Sequence, residues 1–273
     1  LLGGHSGMEI YKQRANANQI LARILYRIDE SYGFQLGSFE GGTKHNAIPR
    51  KATATIALRK DDVEAVTNLI AYYAKQYQSE FSPQDPDFRV DVAEIDPPET
   101  IYCHDSEEAL SHFLYLAPHG VYSMSQTLDN LVETSDNIAI VKEDAAKINI
   151  LVSLRSSSES ALHFTKARFR LLANTLGINA RIAGEYPAWQ YDAGSELEKQ
   201  AVALYTKMNG QAPKVTAVHA GLECGLLKDV LPNTQMLSFG PTITGAHTPQ
   251  ERVHLPSVER IYAFVVELLK ELR

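Results

Sequence analysis

His247 stands in GPTITGAHTPQERV, a Gly-, Pro- and Thr-rich stretch near the end of a 273-residue sequence. Loops of this composition carry function disproportionately. Histidine is the commonest protein metal ligand and titrates near neutral pH. One histidine cannot hold a catalytic metal, which takes about three protein ligands. Either His247 is an ordinary loop residue, or most of its site lies elsewhere. GGHSGMEI places His5 between glycines at a helix approach. Glycines let backbone and ligand come close, and a helix N-terminus favours developing negative charge. His5 therefore reads as an oxyanion or substrate contact, or as a turn histidine beside a capping Ser6.

Three further positions could bind substrate. Asn46, in GGTKHNAIPR, could hydrogen-bond a peptide or carboxylate, although Asn is also a normal turn residue. Arg155 ends the alternating run ILVSLRSSS on the face opposite Ile150, Val152 and Leu154. A guanidinium there could grip a carboxylate with two hydrogen bonds, or could lie on the surface. Glu223, in VHAGLECGLL, sits where a strand should meet a helix. It could meet a substrate ammonium or simply complement the helix dipole. Cys224 with His219 could be a thiol and its base, but no oxyanion motif accompanies them. Asp129, Glu133 and Asp136 read as solvated carboxylates. HExxH, paired CxxC, a P-loop and GxGxxG are all missing from the sequence.

Bulk properties exclude several classes. A net charge of -7 argues against a nucleic-acid partner. No apolar run reaches the ~18 residues of a membrane helix. Two cysteines make no disulfide framework, which fits a reducing cytoplasm. The sequence opens LLGGHSG, without Met, and Leu1–Leu2 read as the end of a strand, so a C-terminal fragment is expected.

The elements that must position these residues follow from periodicity. Apolar residues at helical spacing predict a helix over about 8–31, then a strand over 34–39 and another from Ala52 to Leu58. A helix over about 62–79 and a strand from Phe88 to Val92 complete a β-α-β-β-α-β order, the ferredoxin-like unit. The order then repeats: strand 99–103, helix 105–116, strands 131–142 and 146–155, helix 157–175, strand 178–183. After a hand-off at EYPAWQYDAGS come helix 195–208, strand 214–218, helix 224–230, strand 235–239 and helix 256–272, an α/β pattern.

In this order, LLGGHSGMEI with RANAN, GGTKHNAIPR, EYPAW, HAGLECG and GPTITGAHTPQERV resemble the aminoacyl-histidine (Xaa-His, carnosinase-like) dipeptidases of the di-zinc exopeptidases. The resemblance implies an α/β fold with an α+β lid over 1–184. That lid, also a dimerisation domain, would hold two ferredoxin-like units, the first strand truncated. Residues 185–273 would be the C-terminal segment of the zinc-exopeptidase catalytic domain. By resemblance His247 is a zinc ligand. His5 polarises the scissile carbonyl, Asn46 and Arg155 bind substrate backbone and carboxylate, and Glu223 lines the substrate site. Two zinc ions are implied, with cobalt or manganese as alternatives. The substrates would be dipeptides such as Xaa-His, and the protein would be a cytoplasmic enzyme able to pair as a homodimer. The general base and remaining metal ligands of the family have no counterpart here, so this chain alone is expected to be inactive. A non-catalytic peptide-binding or dimerisation module and a thiol hydrolase using Cys224 are the competing readings.

Overall fold

The computed structural model describes residues 1–144, 147–185, 191–192, 194–216, 223–244 and 251–272. These fall into two compact units, one within residues 1–185 and the other within residues 191–272. The protein is mixed α/β.

The first unit opens with β1 (Gly4–His5) and a single 3-10 turn at Ile10–Lys12. The expected helix over 8–31 starts only at Ala17, because Gln13 adopts a left-handed φ of 52° and Asn16 is extended. Asn16 caps α1 (Ala17–Ser31), its side-chain oxygen accepting from the Asn18 and Gln19 amides. One face of α1, including Ile20, Ile24, Leu25 and Ile28, is buried. Then come β2 (Gln35–Gly41), β3 (Ala47–Ile48), β4 (Ala52–Ala57), α2 (Val63–Phe81) and α3 (His104–Leu116). β5 (Gly120–Met124), β6 (Val132–Asp144), β7 (Lys147–Ser156) and α4 (Glu159–Thr175) complete the unit.

The main sheet is antiparallel. β2 pairs with β4 on one edge and touches β6 on the other, at Gly41↔Val141. β6 carries β7 along one edge from Thr134↔Ser156 to Asp144↔Lys147. Its other edge is shared: β5 pairs with its first half and β2 with its second. Leu36, Phe39, Ile138 and Val141 from the sheet join Ile24, Val66, Leu110 and Phe169 from the four helices in one core. The helices therefore cover one face. On the opposite face lie β1 and β3, paired at Gly4↔Ile48 and His5↔Ala47. A small cluster of Ile10, Ile48 and Val132 seals that contact.

Several expected strands do not form. Residues 88–92, 99–103 and 178–183 join no ladder. Around 99–103 the physical reason is visible. Tyr102 donates one backbone bond to Leu36, but the Leu36 amide is taken by the Glu107 carboxylate from α3 at 2.6 Å. A ladder cannot continue past an edge amide that is already satisfied. In contrast β5, which the pattern did not announce, is a full ladder strand.

The second unit contains α5 (Glu196–Asn209), α6 (Glu223–Val230), a two-stranded hairpin of β8 (Ile243–Thr244) with β9 (Arg252–Val253), and α7 (Leu255–Glu271). Ser195 caps α5 and Gly210, at φ 73°, ends it in the left-handed conformation. Ala201, Leu204, Phe264 and Leu268 form its core, and Phe264 meets Tyr205 and Phe239 edge-on. The expected strand at 235–239 and the described part of 214–218 are not in ladders.

Candidate functional site

β1 brings His5 to the outer face of the first unit because the chain makes a very close turn there. At Gly3, with φ 65°, an added Cβ would lie 2.8 Å from the Ile48 carbonyl and 2.2 Å from Arg50. Only glycine fits. Beyond the turn, the Gly7 and Met8 amides donate to His5 Nδ1 at 3.1 and 3.0 Å. With Nδ1 accepting, the neutral ring carries its proton on Nε2. The ring is thus fixed in orientation and in tautomer, as a donor through Nε2–H. Its backbone is fixed as well. His5 N–H donates to Glu9 Oε2 at 2.9 Å, and Glu9 N–H returns a bond to the His5 carbonyl. Lys12 and Arg14 converge on the other Glu9 oxygen. Burial would raise the Glu9 pKa, but these hydrogen bonds and charges outweigh it, so the carboxyl lies below its usual value.

Asn46 precedes β3, half-buried. Its carbonyl accepts from the Ser6 amide at 2.8 Å. Arg155 lies near the end of β7, opposite Ser135 of β6. Its Nε is buried without a hydrogen-bond partner, and among the described residues it has no acidic partner. Burial pushes its guanidinium pKa down. A desolvated cation is costly unless an anion meets it. An incoming carboxylate would supply that anion.

The structure brings His5, Asn46 and Arg155 to one face of the first unit, as follows. Directly paired residues of antiparallel strands share a face. Ser135 and Arg155 form one such pair, Asn137 and Ser153 the next. Asn137 donates to the Ala47 carbonyl at 2.9 Å, and Ser153 donates to the His45 carbonyl. Ala47 is the strand partner of His5.

Sequence reasoning missed the polar network beneath this face. Asn16 is 1% exposed and its amide donates to the Ile138 carbonyl at 3.0 Å, with Asn137 Oδ1 and His119 Nδ1 each 3.3 Å away. Burial pushes the His119 pKa down to about 4, although part of the residue still meets solvent. Asp85, wholly buried, receives the Leu2 and Ala15 amides and ties the start of the chain to the approach of α1. The available signal was Asn16 itself, a capping residue just before an apolar helical run. Asp136 was expected in solvent but is 2% exposed and pairs with Arg168 at 3.2 Å. It projects to the helix side, where α4 supplies its cation. Burial raises its pKa to about 6 despite Arg168.

Glu223 begins α6 in the second unit, its side chain outside the description. His247 and His219 lie outside the described residues. Cys224, half-buried, and the exposed Cys103 are free thiols. Among the described residues no three His, Cys, Asp or Glu side chains converge on a metal site. No described helix is long and apolar enough to cross a membrane.

Comparison with known proteins gives the site its context. Residues 1–85 match the family Peptidase dimerisation domain. Over 272 residues the sequence is 34% identical to the cytosol non-specific dipeptidase of Escherichia coli (strain K12), covering 100% of this chain and 56% of the relative. The fold matches the crystal structure of the aminoacylhistidine dipeptidase from Vibrio alginolyticus with a TM-score of 0.91 and 32% identity, over 99% of this chain and 55% of that one. The chain is similar to these two dipeptidases along its whole length. It spans about half the length of these relatives.

Proposed function

We propose that this chain is the substrate-clamping lid, together with a C-terminal catalytic segment, of a metal-dependent dipeptidase acting on Xaa-His and related dipeptides. The observation that carries this reading is Arg155: a half-buried guanidinium with a buried, unpartnered Nε and no acidic partner among the described residues, on the face that presents His5 and Asn46. A dipeptide ends in the anion that Arg155 lacks, and its carbonyl needs a donor such as His5 Nε2–H. Charge develops on that carbonyl oxygen in peptide hydrolysis, and pre-positioned donors are usually the largest catalytic contribution. The His5 ring costs no reorganisation at that moment, because two backbone amides already hold it. Asn46 would orient the substrate backbone between the two.

The described residues do not fit a zinc set by themselves, so no step is assigned to the metal from this chain. We assign to His247 one ligand of a zinc site whose other ligands and general base come from a segment outside this sequence, with Glu223 lining the substrate site. Cobalt or manganese would suit the same hard and imidazole ligands. The second unit supports completion by another segment. Leu255, Tyr262 and Val230 are 70%, 72% and 76% exposed, an apolar load that a monomeric domain rarely leaves uncovered. Residues 1–184 as lid and 185–273 as catalytic segment remain our division of labour. A cytoplasmic location and pairing of two copies through the dimerisation-type domain belong to the same reading.

The test is Ala-His hydrolysis with added zinc, by this chain and by the protein extended through its upstream codons. Activity in the extended protein alone supports the reading. Activity in this chain alone would place base and metal within it and overturn the assignment.

A further inference from the structure

Three consecutive carbonyls around Asn46 are each held by a different donor. Ser153 donates to the carbonyl of His45, the Ser6 amide to that of Asn46, and Asn137 to that of Ala47. The outer two donors are a directly opposed cross-strand pair, Asn137 of β6 and Ser153 of β7. Such pairs sit roughly 5 Å apart at Cβ and are rigidly spaced by the ladder. Arg155 follows Ser153 by two residues on the same strand and face. The middle bond, from Ser6, fastens the residue next to His5 to the same loop, while Ala47 is the strand partner of His5 itself. Asn137 is in turn within reach of Asn16, which caps α1. It is 1% exposed, so its amide has no water to fall back on.

We infer that Asn137 and Ser153 are positioning residues: a two-pronged clamp on the carbonyls flanking Asn46 that sets His5 and Asn46 in register with Arg155. Loop 42–46 carries no ladder of its own before β3. Besides the Ile48–Val132 contact of β3 and the bond from the Gly42 amide to the Lys51 carbonyl, its hold on the sheet face comes through these two side chains. They set this loop at a fixed offset from the strand that bears the carboxylate anchor. The inference rests on the dipeptidase reading for its catalytic consequence, but not for its structural one.

The first arm needs no activity. In this chain, Asn137→Ala and Ser153→Ala should speed hydrogen exchange of the Ser6 amide by about 10-fold or more, with the Ile70 amide of α2 unchanged. Unchanged Ser6 protection, or uniform acceleration at both amides, overturns the clamp. The second arm uses the full-length protein with Ala-His. A displacement of about 1 Å is enough to cost roughly 10²-fold in rate, so either variant should lower kcat by about 10–100-fold. KM should stay within about 3-fold, because Arg155 is on β7 and does not move. Ser153→Thr keeps the hydroxyl and should restore most of kcat. In a His5→Ala, Asn46→Ala background the loss from Ser153→Ala should shrink to about 2-fold, since the clamp then has nothing to position. An equal loss in both backgrounds, or failure of Thr to rescue, overturns the proposal. If the unmodified full-length protein hydrolyses no dipeptide, the functional reading falls, and exchange at Ser6 alone decides the clamp.

Discussion

Replacing Arg155 by Met separates binding from folding, because the two effects should run in opposite directions. Methionine keeps the length and apolar stem but removes the charge. In the structure the guanidinium has a buried, unpartnered Nε and no carboxylate among the described residues to offset its lost hydration. Removing a buried ion that nothing neutralises should leave stability unchanged or raise it by about 1 kcal/mol, after allowance for the part of the side chain still in solvent. Toward substrate the sign reverses. A charge-assisted hydrogen bond contributes about 1.5–3 kcal/mol, and a guanidinium can make two to one carboxylate. Losing both should cost about 3 kcal/mol or more, roughly 10²-fold in kcat/KM, mostly through KM. The assay compares Ala-His with its C-terminal amide in the full-length enzyme, and urea unfolding in parallel. The unmodified enzyme should prefer the free carboxylate by roughly 10²-fold, and the variant should be indifferent. If Arg155→Met unfolds at much lower urea, or still discriminates against the amide, the residue is a structural arginine and the anion-site argument fails.

Two buried groups give opposite pH signatures. Asp136, raised to about 6 from 3.8, holds its proton more tightly when folded, so its contribution to stability is present at low pH and is lost as pH rises from about 4 to 6. His119, lowered to about 4 from 6.5, does the reverse, contributing instability at low pH that disappears as pH rises from about 4 to 6.5. Each spans about 3 kcal/mol at most, at 1.36 kcal/mol per unit, so unfolding free energy should be nearly flat in this window. Asp136→Asn should make it rise with pH and His119→Gln should make it fall. Parallel slopes in the two variants would refute the assignment. Gly42→Ala combines a φ of 74° with a Cβ 1.8 Å from the Ala139 carbonyl, whereas Gly33→Ala has φ 68° and open space. The second should cost about 1–2 kcal/mol in urea unfolding, and the first distinctly more; equal costs would mean that β2 can shift away from β6 freely. His247→Ala in the full-length protein should lower bound zinc as read by elemental analysis, and unchanged stoichiometry would remove His247 from the metal site.

Much of the order of elements was legible because periodicity reports burial. Ile20, Ile24 and Ile28 announce α1, and Ile148, Ile150, Val152 and Leu154 announce both β7 and the face that Arg155 does not share. What periodicity cannot report is pairing. Phe88 to Val92 alternates as well as β4 does, yet joins no ladder, and β5 forms on the edge that β6 leaves open although GVYSM alternates weakly. The same limit applies to the site. His5 and Asn46 were visible as residue types in suggestive loops, and Arg155 as a charge closing an alternating strand. Their common platform, Asn137 opposite Ser153, was not, because nothing in an apolar strand tells a buried Asn that holds a carbonyl 90 positions away from one that points to solvent. Asp136 shows the consequence of a one-residue change in register. It neighbours Ser135 and Asn137 in sequence, but its side chain is on the helix face, where a carboxylate can exist only against Arg168. Strand parity thus sorts three consecutive polar residues into two jobs. The odd positions build the face that presents His5, Asn46 and Arg155. The even one fastens α4 behind it, so the helix layer and the clamp are held by the same stretch of β6.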